Sequence, residues 1–526
     1  MRSFDRPGRS PVHATSAMAA TSHPLATATA LAVLREGGNA VDAAIAASAT
    51  LCVVEPHMTG IGGDCFVMLC EPDGRLYGLN GSGRAPAAAR LGWYVDNGFA
   101  EIAPHSPHSV TVPGAVRAWE TLHARFGRMD FARLFADAVR YGREGFAVAP
   151  RVGRDWKGLE AKLRADAGAR KHYLRDGHAP AVGEVMTAPA LAGVLEAIAR
   201  NGADAFYKGP VAADIAATVQ AKGGFLSEAD LAAASAEWVE PIRTRYRGLD
   251  ICEIPPSGQG ITALMLLNLV ARVGLGDDAW SAERHFREIE LARLAYAVRN
   301  AWLADPATMP VSTEALLAPA FTDRLARQFD PERRNGRIVV PPMTGSDTIY
   351  LTVVDRDLRL VSFINSVYWG FGSGIVTDRT GIALQNRGAC FVVDASHPNA
   401  IDAGKRPLHT IIPAIAMDGD RPAIGFGVMG GSYQPLGQVH VLVNLLDYGM
   451  DAQEALDHPR IFWDADGALL AESGIASEVV AELAARGFDV RPGGPHGGGQ
   501  IIRIDHERGV ICGGSDPRKD GFAAGC

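Results

Sequence analysis

The sequence lacks the features that mark several large classes of protein. Its seven cysteines (Cys52, Cys65, Cys70, Cys252, Cys390, Cys512 and Cys526) are odd in number and scattered, with no C-x-x-C pair among them. Such spacing builds neither a disulfide framework nor a metal knuckle, so the thiols read as small buried hydrophobes in a reducing compartment. No stretch is apolar for the length a bilayer span needs, and the arginines of the first twenty residues precede no signal-peptide core. Long lysine or arginine runs are missing, and the net charge of -8 leaves no basic face for phosphate. A cytoplasmic protein with no nucleic-acid and no membrane partner is expected.

The chain itself is long, at 526 residues with 47% hydrophobic and 21% charged side chains, more than one compact core of ordinary size holds. Pro24, Leu31 and Leu34 ahead of Gly37-Gly38 mark a first helix. Asn39 caps a second, alanine-rich one that Pro56 ends. The apolar run Cys65 to Cys70 reads as a buried strand, followed by another at Leu76 to Leu79. Gly60-x-Gly62-Gly63 follows a helix and precedes a strand, the reverse of a dinucleotide loop. Helices are expected over 115–126, 131–139, 188–200, 212–221, 261–273 and 284–303. Strands are expected at 381–384, 411–417 and 424–428, with covering helices at 436–446 and 477–486. His105 and His108 have no third ligand nearby, and no metal or cofactor is called for.

The chemistry gathers between Gly345 and Gly374. Ile349, Leu351 and Val353 share one face of a strand, Asp355-Arg-Asp makes a turn, and Leu360 to Asn365 returns as an antiparallel partner. Thr348 stands at the very start of this hairpin. The segment from Phe329 to Met343, polar and poor in structure signals, is a flexible approach to it.

Twelve stretches, in order, resemble the γ-glutamyltransferase (glutathione hydrolase) family of N-terminal nucleophile hydrolases. They are Ala20 to Leu25, Gly37 to Ala43, Val54 to His57, Gly60 to Gly63, Val112 to Ala115, Phe206 to Gly209, Pro256 to Gln259, Thr348 with Val353 to Asp355, Gly372 to Gly374, Lys405 to Pro407, Gly430 to Ser432, and Asp516 to Arg518. The resemblance implies a four-layer αββα sandwich with an added helical region. It also implies a precursor that cuts itself between Asp347 and Thr348 into residues 1–347 and 348–526. Thr348 is then the nucleophile, Gly430 and Gly431 supply oxyanion N–H groups, and Ser366 supports the threonine hydroxyl. Arg84 is the implied carboxylate anchor.

Departures from the family pattern bear on the substrate. An arginine and a cysteine, Arg387 and Cys390, occupy the loop where γ-glutamyltransferases carry a glutamine and the acid that pairs the glutamyl ammonium. Tyr368 replaces an asparagine, with Asn365 nearby, and His409-Thr410 replace paired serines. Tyr368, Arg387, His409 and Thr410 therefore join Arg84 as substrate-binding candidates. A cation at Arg387 favours a carboxylate-rich acyl group and disfavours an ammonium. These changes resemble the glutathione hydrolase-like, glutaryl acylase and oxamate amidohydrolase members. The expected activity is hydrolysis of the amide of a small carboxylate-bearing acid by a heterodimer of the two halves, with a dimer of these left open. A true γ-glutamyltransferase, a glutaryl acylase, an uncleaved binding protein and a nucleotide-binding α/β protein are the alternatives.

Overall fold

The computed structural model describes residues 8–338 and 348–526. Two seven-stranded antiparallel sheets lie face to face. In the first the order is Phe522–Gly525, Met18–Thr21, Ile349–Val354, Leu360–Ser366, Asp64–Cys70, Leu76–Gly81 and Glu237–Val239. In the second it is Val12–Ala14, Val510–Ser515, Gly498–Asp505, Arg421–Met429, Ala414–Asp418, Leu249–Glu253 and Ile242–Tyr246.

Alternation along the central strands decides how closely the sheets approach. Side chains at every second position share a face, so Tyr350 and Thr352 project towards the second sheet. A Cβ on Gly427 would lie 2.5 Å from the Tyr350 ring, and one on Gly425 would lie 2.4 Å from Thr352 Oγ1. These glycines make room for the larger partners. Ile349, Leu351 and Val353 take the other face, which the helix Ala40–Val54 covers, every residue of it buried. Asn39 and Asp42 form a reciprocal capping box at its start, and the Ala40 N–H donates to Asp355 Oδ2 at 2.9 Å. The helix thereby runs back alongside the hairpin and delivers His57 to Gly63 to the Thr348 end. Helices Gly260–Val273 and Gln434–Leu446 cover the outer face of the second sheet, and a further helical group spans residues 115–220. The architecture is a four-layer α/β sandwich.

Several local expectations need correction. Residues 381–384 form no strand: Gly381 sits at φ +67°, and Ala383 makes only an isolated bridge to Val376. The strand expected from Ile411 starts at Ala414, because the Ile411 and Ile412 N–H groups donate to His409 Nδ1 and Gln434 Oε1, and Pro413 has no N–H. Helix Ser477–Ala485 packs on helix Ala282–Trp302 rather than on either large sheet. Cys390 and Cys512 are half-buried and Cys526 is exposed, so only Cys52, Cys65, Cys70 and Cys252 behave as core residues. Asp347, and the 339–343 part of the approach segment, lie outside the described residues.

Candidate active site

Strand register brings the site together. Asn365 pairs with Ile349 on one side and Cys65 on the other, so the next row across the sheet is Thr348, Ser366 and Asp64. Thr348 and Ser366 are fully buried, and their hydroxyl oxygens lie 3.0 Å apart. The Tyr368 N–H donates to Ser366 Oγ at 2.8 Å, which orients that hydroxyl towards the threonine. Tyr368 holds this position with φ +80°, an uncommon backbone state for a bulky side chain and of the kind that collects at functional sites.

The Tyr368 ring lies under the guanidinium of Arg387, with Cζ 4.2 Å from the ring centroid. Burial and the neighbouring Cys390 raise the Tyr368 phenol, which is neutral. Arg387, also fully buried, donates from Nη1 to Thr410 Oγ1 at 2.7 Å, while its Nε and Nη2 have no hydrogen-bond partner among the described residues. No ion pair to Arg387 occurs among the described residues. Thr410 follows His409, whose Nδ1 accepts from the Ile411 N–H at 3.3 Å. The His409 proton is therefore on Nε2, which donates to Asp64 Oδ2 at 2.9 Å. Burial, with Arg387 nearby, pushes the His409 pKa down to about 4, so the imidazole is neutral. Asp64 Oδ1 accepts from the N–H groups of Gly83 and Gly114 and from Gln385 Nε2.

Gly430 and Gly431 end the Arg421–Met429 strand with φ +120° and +57°, conformations that favour glycine. The Tyr433 N–H donates to Gly430 O at 3.0 Å, and Gln259 Nε2 donates to Gly431 O at 2.9 Å and to Thr410 O at 2.7 Å. The contacts thus run without a break from Gly431 through Gln259, Thr410, Arg387, Tyr368 and Ser366 to Thr348. Arg84 stands outside this chain. Its guanidinium donates to Glu237 Oε1 at 2.9 Å and Gly404 O at 3.0 Å, and it lines a cavity of about 220 Å³ with Ser82, Gly83 and Asp230. Sequence reasoning gave no role to Asp64, to Gln259 at the end of the Pro256 to Gln259 stretch, or to Arg299, whose Nη1 donates to Gln259 Oε1 at 2.7 Å. The one signal for Asp64 was its place directly after the glycine turn. Among the described residues no group of three or more His, Cys, Asp or Glu is set to hold a metal, and no helix is long and apolar enough to cross a membrane.

The gamma-glutamyltranspeptidase family model matches residues 26–526. The chain belongs to this family. It is 34% identical to the glutathione hydrolase-like YwrD proenzyme of Bacillus subtilis, over 97% of this chain and 98% of that one. To the oxamate amidohydrolase proenzyme of Klebsiella pneumoniae it is 35% identical, over 97% and 98% of the two chains. The crystal structure of cephalosporin acylase from Bacillus halodurans superposes with a TM-score of 0.93 at 39% identity, covering 100% of this chain and 98% of that one. Family and architecture make the protein an amide-bond hydrolase of the N-terminal nucleophile class.

Proposed function

We propose that the chain is a precursor that cleaves itself between Asp347 and Thr348 and then hydrolyses the amide of a small carboxylate-bearing acyl group. In the first step Thr348 Oγ attacks the Asp347 carbonyl, and the peptide bond is exchanged for an ester that water opens. The freed α-amine, with an ordinary pKa near ~8, serves as base for its own hydroxyl. In the second step the hydroxyl attacks the substrate amide, and the N–H groups of Gly430 and Gly431 face the oxyanion. The amine product leaves with the proton held by the α-ammonium, and water, deprotonated by the same amine, releases the acid from the threonine ester. Ser366 holds the hydroxyl in line through both steps.

One observation carries the substrate class: the side-on edge of Arg387, Nε with Nη2, is buried and has no hydrogen-bond partner among the described residues. That edge matches a carboxylate with two parallel hydrogen bonds, and a buried cation with two unmet nitrogens is costly until an anion meets it. A γ-glutamyl ammonium would meet this cation without an opposing acid. The reading covers a heterodimer of 1–347 and 348–526 acting in the cytoplasm, in keeping with seven cysteines that are all free.

Rates on γ-glutamyl, glutaryl and oxamate amides, compared side by side for the wild type and Arg387→Met, test this. The wild type should favour a glutaryl or oxamate amide, and the variant should lose about 10- to 100-fold in kcat/KM on it, the range of a charged hydrogen-bond pair. A wild-type preference for the γ-glutamyl amide, or an Arg387→Met enzyme of unchanged selectivity, contradicts the reading.

A further inference from the structure

The two glycines of the oxyanion turn have no side chains to hold them, yet three successive carbonyls there are tied. Gly430 O accepts from the Tyr433 N–H, Gly431 O from Gln259 Nε2, and Ser432 O from the Tyr296 hydroxyl at 2.5 Å. Fixing the carbonyls on either side of Gly431 fixes its ψ and the plane that carries its N–H. Among the described residues neither Gly430 nor Gly431 gives its own N–H to a protein acceptor.

Gln259 is the side chain best placed to govern this turn. It is fully buried just before helix Gly260–Val273, and its backbone N–H donates to His409 O at 2.9 Å. Arg299 Nη1, on helix Ala282–Trp302, donates to Gln259 Oε1 at 2.7 Å. A guanidinium can only donate, so Arg299 fixes which end of the amide is oxygen and points the NH₂ at Gly431 O and Thr410 O. The same Arg299 lies over the Tyr296 ring, with Cζ 4.7 Å from the centroid, and so steadies the tie on Ser432 as well. Gln259 thus joins the turn facing the oxyanion to the His409-Thr410 segment, whose threonine hydroxyl holds Arg387. A burial role alone calls for neither the two matched carbonyls nor the arginine behind them.

We propose that Gln259, oriented by Arg299, is the positioning residue of the oxyanion turn, aiming the Gly431 N–H at the tetrahedral intermediate. This rests on the Thr348 amidohydrolase reading. Because the turn faces the transition state more than the bound amide, loss of the tie lowers kcat and spares KM.

The test is steady-state kinetics of Gln259→Met on glutaryl-p-nitroanilide. The processed fraction comes from a denaturing gel and the melting temperature is measured alongside. The expected result is a fall of about 10- to 100-fold in kcat per processed chain, below the ~10²- to 10³-fold loss of a whole oxyanion donor, with KM within about threefold. Gln259→Glu, which turns oxygens to both carbonyls, should fall at least as far. Arg299→Met leaves the glutamine in place but untethered and should fall less, and it gives the same readout if Gln259→Met stays uncut. An unchanged kcat per processed chain, or a loss explained wholly by the processed fraction, overturns the proposal. A wild-type protein inert on both the anilide and an oxamate amide instead removes the underlying reading, and this inference with it; for one active on oxamate alone, the same kinetics are read on that substrate with the same expected and overturning results.

Discussion

Burial keeps His409 and Tyr368 neutral beside Thr348, and a pH profile reads out what titrates there. The α-amine must be unprotonated to act as base, so kcat/KM should rise with pH and level off above its pKa of ~8. His409 stays neutral across that range, since burial and Arg387 bring its pKa to about 4. Below the amine pKa the acid limb should therefore have unit slope down to about pH 5. A second step near 6.5, or a slope of two, contradicts this arrangement. Much of this scale was legible in the sequence, because the resemblance to the family singled out Thr348, Ser366, Arg387 and Gly431, residues that one run of contacts links in the fold. The direction of Arg84 was not legible. Its partner Glu237 is 153 residues away along the chain, and only the folded sheet edge brings the two together.

At the scale of the element, the site depends on how tightly strands and turns close on one another. A Cβ on Gly63 would lie 2.1 Å from Ser366 O, a backbone atom that cannot move without shifting the Leu360–Ser366 strand. Gly63→Ala should lower the melting temperature and cut kcat/KM at least tenfold, by displacing Ser366 from Thr348. Thermal unfolding and amide hydrolysis, measured together, check this; a variant with normal melting and normal rates contradicts it. The hairpin of Ile349–Val354 and Leu360–Ser366 announced itself by period-two patterning. Strands such as Met18–Thr21 and Gly498–Asp505 did not, since alanine and glycine have little strand preference of their own and take it from their neighbours. The Gly381 stretch erred the other way, an apolar run that a left-handed glycine keeps out of any sheet.

Over the whole molecule, the two halves of the proposed cut are interleaved. In the first sheet Met18–Thr21 lies between Phe522–Gly525 and Ile349–Val354, and Leu360–Ser366 pairs with Asp64–Cys70. Strands from both halves also make up the second sheet. Cleavage before Thr348 would thus free an amine without releasing either half, and the seams between them are the sandwich core itself. Intact mass of the purified protein, before and after brief exposure to a glutaryl amide, tests this account most directly. A fragment beginning at Thr348 and ending at Cys526, which gains one acyl group on that threonine, is the result it predicts, with Thr348→Ala remaining one uncut, inactive chain. An uncut wild-type chain that hydrolyses amides, or a Thr348→Ala protein that is cleaved and active, would contradict it.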